Sequence, residues 1–246
     1  MKRAAIFLCE LTGNMARPWA ENGYICICVD LQHSIRATRA RKHKVERFEG
    51  GGEIHFVYGD ARSWTPLHFD GKFYERYKIC FVACFPVCTN LAGSGAQDYS
   101  NKKGLPMKGI TMLMDGLLLF NACEQVASWS GAPYLIENPV GSIPHYHRKP
   151  DYYFQPWNWG DLYQKKTCLW TGNGFIMPKF DYVTKPEGVT QKIWLASPRE
   201  GRANERSETP EGFARAVFEA NSAISYPDKQ GRAGFEDMID KIARGY

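Results

Sequence analysis

Ala4-Ala5-Ile6-Phe7-Leu8-Cys9-Glu10-Leu11-Thr12-Gly13 is an unbroken apolar run that stops at a carboxylate and turns on a glycine. An apolar run with no polar alternation suits a strand buried on both faces, and Asn14-Met15 then feed a helix. The figure recurs along the chain. Residues 24–30 end on Asp30, 54–58 lead into Gly59-Asp60, 78–84 lead into Phe85-Pro86, and 134–137 end on Glu137. Helical stretches at 14–21, 34–44 and 106–129 lie between these runs, the last with Pro106 in its first turn and apolar Met112, Leu113, Leu117, Phe120 and Cys123. Such alternation predicts an α/β fold, a doubly wound and mostly parallel sheet. Ligands bind these sheets outside the carboxyl ends of the strands, where Glu10, Asp30, Asp60, Cys88 and Glu137 all fall.

With 246 residues, 44% of them hydrophobic, the chain can bury a full core as one domain, which excludes a disordered or fibrous protein. A net charge of +5 permits a polyanionic partner without requiring one. The eight cysteines sit mostly in apolar runs and form no CxxC pair, so they read as reduced thiols. Met1-Lys2-Arg3 followed by a short apolar run that meets Glu10 does not read as a secretion signal. The apolar stretch around Leu113 carries Asp115 and falls well short of the ~20 residues that cross a bilayer, so no membrane association is expected.

Between residues 139 and 180 the texture becomes aromatic and basic, an irregular excursion holding Tyr146, Tyr152, Tyr153, Trp157 and Trp159 among His145, His147, Arg148 and Lys149. A strand is expected at 167–171. After a Pro/Gly-rich loop and a polar stretch with Arg199, Arg202 and Arg206, a helix is expected to open at Thr209-Pro210-Glu211, with Thr209 as N-cap. The two imidazoles of His145 and His147 lack further ligands, and no metal site is expected. Arg36, Arg39, Arg41, Lys42, Lys44 and Arg47 form a basic run suited either to a phosphate backbone or to solvent.

The first three strand ends read as a cofactor site. Glu10, Leu11, Thr12, Gly13 and Asn14 form a turn that a ligand can approach closely, Asp30 beside Leu31 suits a ribose diol, and Asp60 beside Ala61 suits an adenine amine. The GxGxxG and GxxxxGK[ST] loops that cradle pyrophosphates and triphosphates are absent. An adenosine-containing ligand without a pyrophosphate, such as S-adenosylmethionine, fits these residues better than NAD or ATP. Asp is also a common turn residue, which is the plainer reading of Asp30 and Asp60.

The next two strand ends carry reactive groups. Phe85-Pro86-Val87-Cys88-Thr89 offers a thiol nucleophile, and Glu137-Asn138-Pro139 offers an acid. A thiolate attacks an electron-poor ring only where something neutralises the charge building on it, so the pair points to nucleophilic chemistry on a heterocycle. The rival reading makes Cys88 one more buried thiol after Cys80 and Cys84, and Asn138-Pro139 a turn.

The order of these elements resembles that of the DNA cytosine-5 methyltransferase family. The family's Pro-Cys loop is similar to Pro86-Val87-Cys88 with one residue inserted, and its Glu-Asn-Val element to Glu137-Asn138-Pro139. Its Gly-x-Pro-Gln-x-Arg-x-Arg strand is echoed by Gly160 to Gln164-Lys165-Lys166, with Lys166 and Cys168 at the arginine positions. The resemblance implies a Rossmann-like fold and an S-adenosylmethionine cofactor bound by Glu10 to Asn14, Asp30, Leu31, Asp60, Ala61 and Phe85. It also implies a cytoplasmic enzyme of a bacterium or phage-infected cell, acting on DNA, with Cys88 adding to carbon 6 of cytosine, Glu137 engaging ring nitrogen 3 and Lys166 contacting the ring carbonyl or a phosphate. Pro86, Thr89, Asn138, Pro139 and Gln164 would line the substrate. Little chain remains for the family's target-recognition domain, which suits a compact phage-type enzyme of relaxed specificity. Two alternatives stay open: a methyltransferase of free pyrimidine nucleotides, and a non-catalytic nucleic-acid binder on the same fold.

Overall fold

The computed structural model describes residues 1–89, 91–92, 106–190 and 208–222. The chain runs through β1 (Lys2–Leu8), α1 (Arg17–Glu21), β2 (Ile25–Asp30), α2 (Ile35–Arg39), β3 (Val45–Arg47), β4 (Glu53–Tyr58), α3 (Pro66–Phe69), α4 (Phe73–Arg76) and β5 (Tyr77–Cys84). It continues through α5 (Pro106–Trp129), β6 (Tyr134–Pro139), α6 (Ile143–Tyr146), β7 (Tyr152–Phe154), a 3-10 turn (Pro156–Trp159), β8 (Thr167–Gly172) and α7 (Glu211–Asn221).

All eight strands join one mixed sheet in the order β3-β4-β2-β1-β5-β6-β8-β7. The run β4-β2-β1-β5-β6 is parallel, β3 pairs antiparallel with β4, and β8 runs antiparallel between β6 and β7. Successive parallel strands step outward from β1 in one direction to β4, then restart at β5 on its other side. That switch opens a crevice between the carboxyl ends of β1 and β5.

Alternation along β1 sends Ala4, Ile6 and Leu8 to one face and Ala5 and Phe7 to the other, all fully buried. The first face packs under Phe73 of α4 and Leu119, Phe120 and Cys123 of α5. The second packs under Trp19 of α1 and Phe213 and Val217 of α7, with Trp19 stacked on Phe81 at 4.4 Å. Helices on both faces leave the strands apolar on both sides, which is why the parallel strands read clearly in the sequence.

Several expectations shift in detail. Residues 14–16 belong to a turn rather than to α1, because Gly13 accepts from the amides of Ala16 and Arg17 through its carbonyl. The helix expected over 34–44 closes at Arg39: Ser34 caps it, and Arg41 takes a left-handed φ of 54° while Lys42 N donates to Ala37 O at 2.8 Å. Thr209 does not cap α7. Pro210 holds the cap position, and the first turn is satisfied by tertiary contact, Gly212 N donating to Asp161 Oδ2 at 3.1 Å. The excursion over 139–180 contains α6, which carries His145, then β7 and a 3-10 turn ahead of β8. The segment with Arg199, Arg202 and Arg206 lies outside the described residues.

Candidate active site

The turn after β1 is organised by its own acid. Glu10, only 4% exposed, accepts through Oε1 from Thr12 N at 3.0 Å, Thr12 Oγ1 at 2.7 Å and Gly13 N at 2.7 Å. Burial raises its carboxyl above the ordinary range, and these donors pull it only partly back. Gly13 has φ 80°, and a Cβ there would already touch the Phe56 ring at 3.0 Å, so this turn requires glycine. Asn14 Nδ2 reaches Thr209 O at 3.4 Å, tying the turn to the start of α7. The acid expected to meet a cofactor is thus first the keystone of its own loop.

Beside it, Asp30 closes β2 and accepts from Gln32 N through Oδ1 at 2.7 Å, which orients its carboxylate, while Leu31 is half exposed. His33, which the sequence reading passed over, donates Nε2 to Glu10 O at 3.1 Å and meets Phe56 edge-on. Burial lowers its tendency to protonate. A recess of about 310 Å³ runs along Leu11, Thr12, His33 and Phe56. Asp60, after β4, lines a different cavity, with its carboxylate engaged by Arg62 Nε at 3.0 and 3.2 Å and Arg62 in turn bonding Asp115. Ala61 is buried, and Phe85 packs against the second core face.

The two reactive segments are fastened together. Asn138, fully buried, donates Nδ2 to Pro86 O at 2.8 Å. On the far side of Cys88, Leu91 and Ala92 both donate their amides to Cys88 O, and Leu91 O accepts from Ser142 N at 2.8 Å. Ala92 forms a bridge with Gly141, where a Cβ would lie 1.9 Å from Leu91 O. Glycine is therefore obligatory at 141. The Cys88 loop is held at both ends to the strand end that carries Glu137. Pro86 is buried, Val87 is 56% exposed and Cys88 is partly exposed, so the inserted valine points away from the core.

Glu137 sits on β6 opposite Leu169, Asn138 opposite Cys168 and Pro139 opposite Thr167. Paired residues share a face, so Lys165 falls on the Glu137 side and Lys166 on the other. Lys165 Nζ lies 3.3 Å from Glu137 Oε1, both side chains largely buried. Lys166, expected at the ring, instead lies over Tyr153 at 5.3 Å. Tyr163 and Cys168 also feel the Glu137 charge. Burial raises the Tyr163 hydroxyl well above its usual range and pushes the Cys168 thiol up to about 12. Gln164 donates its amide to Thr190 O at 3.0 Å, and Thr89 is exposed.

No family model matches the chain, and no curated protein matches its sequence. One solved structure that it resembles is a proposed DNA modification methyltransferase encoded within an E. coli prophage, at 13% identity and a TM-score of 0.44. The match covers 70% of this chain and 46% of that one, so this chain accounts for less than half of that protein's length. The reading of activity rests on the residues themselves.

Proposed function

We propose that the protein transfers a methyl group from S-adenosylmethionine to carbon 5 of cytosine in DNA, with Cys88 as nucleophile. The observation that carries this reading is the double fastening of the Cys88 loop, through Pro86–Asn138 and Leu91–Ser142, to the strand end bearing Glu137. A nucleophile and an acid on separate elements serve one ring only if their spacing is held, and here it is held on both sides.

In this reading the Cys88 thiolate adds to ring carbon 6 while Glu137, entering the step as the protonated acid, delivers its proton to nitrogen 3 and becomes the carboxylate, so electron density moves to carbon 5. Lys165 holds the Glu137 carboxylate so formed and places a positive charge beside the ring, where Lys166 had been expected to contact the ring carbonyl or a phosphate. When bound, S-adenosylmethionine supplies the electrophilic methyl group. Its holders would be the Glu10-organised turn through Asn14, the Asp30 carboxylate with Leu31, and the Asp60–Ala61 and Phe85 strand ends. These fit a ribose and an adenine at the β1/β5 crevice, Asp60 sharing its carboxylate with Arg62. Loss of the carbon 5 proton then lets the Cys88 sulfur leave. Exposed Tyr153, with Lys166 over its ring, supplies a stacking face and a cation along the β7–β8 edge, and exposed Tyr152 a second aromatic on the other face, which favours a nucleic acid over a free nucleotide.

The test is transfer of a radiolabelled methyl group from S-adenosylmethionine to DNA, followed by digestion and separation of the nucleosides. Label in 5-methyldeoxycytidine, lost in Cys88→Ser, is expected. Label on an exocyclic nitrogen, or only on a free nucleotide, would refute this assignment.

A further inference from the structure

On the outer side of β4, α2 and α3 wall a second cavity of about 430 Å³, which meets the proposed cofactor site at Asp60 but is otherwise lined by residues that the proposed reaction does not use. Arg39, Arg41, His43, Tyr58, Trp64 and His68 line it. Its walls are fixed: Tyr58 N donates to Thr38 Oγ1 at 2.9 Å, and the Arg41 turn closes α2.

The hydrogen-bonding face of this cavity follows from its neighbours. Trp64 is only 4% exposed, and its Nε1–H has no acceptor among the described residues. Thr65 N donates to His68 Nδ1 at 2.9 Å, so the neutral His68 ring keeps its proton on Nε2. Glu53 Oε2 takes the His55 Nε2 proton at 2.8 Å, and His55 Nδ1 takes the His43 Nε2 proton at 3.0 Å. That relay leaves His43 Nδ1 as an acceptor. Arg39 and Arg41 form no ion pair among the described residues. The acids nearby are already engaged, Asp60 by Arg62 and Asp70, whose charge reaches Arg41, by Arg76 at 2.9 Å.

A concave site with two guanidinium groups, two or more N–H donors, one acceptor and aromatic walls matches an anionic phosphate ester carrying a hydroxyl or amine. We propose that this cavity binds the phosphate of a phosphorylated small molecule of nucleotide size. The concave shape and aromatic walls favour a free ligand over the backbone of a nucleic acid, which a convex basic surface would serve better. The buried Trp64 donor is the feature that a merely solvated basic face would lack.

The proposal is tested on the full chain by following ¹⁵N-labelled indole N–H signals during titration with inorganic phosphate at constant ionic strength, with the Trp64 signal assigned by its loss in Trp64→Phe. A saturable shift of that signal is expected, weakened about tenfold or more in the Arg39→Gln/Arg41→Gln variant. The remaining indole signals report that this variant is folded. No shift, the same shift with chloride, or an unchanged affinity in the double variant overturns the site. Competition by a nucleoside 5′-monophosphate supports a free phosphorylated ligand. Competition instead by an oligonucleotide with unphosphorylated ends overturns the small-molecule assignment. None of these readouts depends on methyl transfer, so they stand or fall apart from the proposed reaction.

Discussion

Lys165 and Lys166 are adjacent in the chain and serve opposite sides of one strand. The pairing of β8 with β6 decides which of them meets Glu137, and it is Lys165, at 3.3 Å. A Lys165→Ala variant leaves a largely buried carboxylate without its partner. It is expected to cost roughly 1–3 kcal/mol in urea unfolding and to lower kcat for methyl transfer by about tenfold or more. Lys166→Ala, which removes a surface cation over Tyr153 and so acts on DNA affinity, is expected to leave stability and kcat at saturating DNA nearly unchanged. Equal effects of the two substitutions would show that Glu137 does not rely on this pair. Glu10 gives a second prediction. Burial raises its carboxyl in the folded state, so folding favours the protonated acid. Its contribution to stability is present below the ordinary carboxylate range and is lost as pH rises through the raised value. The stability of the wild type relative to Glu10→Gln is therefore expected to fall as pH rises above the ordinary carboxylate range, as read by urea unfolding at several pH values. A difference that grows with pH would contradict it.

Among the elements, the strand-end loop after β5 and the exit of β6 behave as one unit. Gly141→Ala places a Cβ against the Leu91 carbonyl and must push the Cys88 loop aside. A shift of about 1 Å at a reacting group can cost about a hundredfold in rate, the loss expected in kcat here. Gly71→Ala, whose Cβ meets open space, is the control expected to leave kcat unaltered. What was legible in the sequence follows the same physics. The five parallel strands announce themselves because both faces are buried, and α5 because Pro106 opens it. The three-residue edge strands β3 and β7 carry too few buried positions to show a period, and β7 begins with exposed Tyr152 and Tyr153. Gly141 carried no local signal, since its need arises from a segment about fifty residues away in the chain closing on it. Thr209 looked like a cap from its neighbours alone, but Asp161 satisfies the first turn of α7 from across the fold.

Across the molecule, the order of the strands sets the chemistry by creating one switch crevice, and the loops at its rim hold Glu10, Asp30, Cys88 and Glu137 near a common edge. The aromatic packing under α7 keeps that edge in place, with Phe213 stacked on Phe154 at 4.2 Å and Asn14 tied to Thr209. Phe213→Ala is expected to cost about 3–5 kcal/mol in denaturant unfolding, and a loss below about 1 kcal/mol would show that α7 is peripheral. The rim of strand ends could be placed from the sequence, because the carboxyl ends of parallel strands are marked by where the apolar runs stop, but the strand order that puts the crevice between β1 and β5 could not. The second cavity could not, because its donors come from α2, β4 and α3 and meet only in the fold. The central claim is that Cys88 attacks a cytosine ring with Glu137 beside it. Its most direct measurement is covalent trapping: the protein is mixed with S-adenosylmethionine and DNA containing 5-fluorocytosine, whose carbon 5 carries no removable proton, and resolved under denaturing conditions. A protein–DNA adduct that is absent with Cys88→Ser is the result predicted here. No adduct, or one that persists in Cys88→Ser, would contradict it.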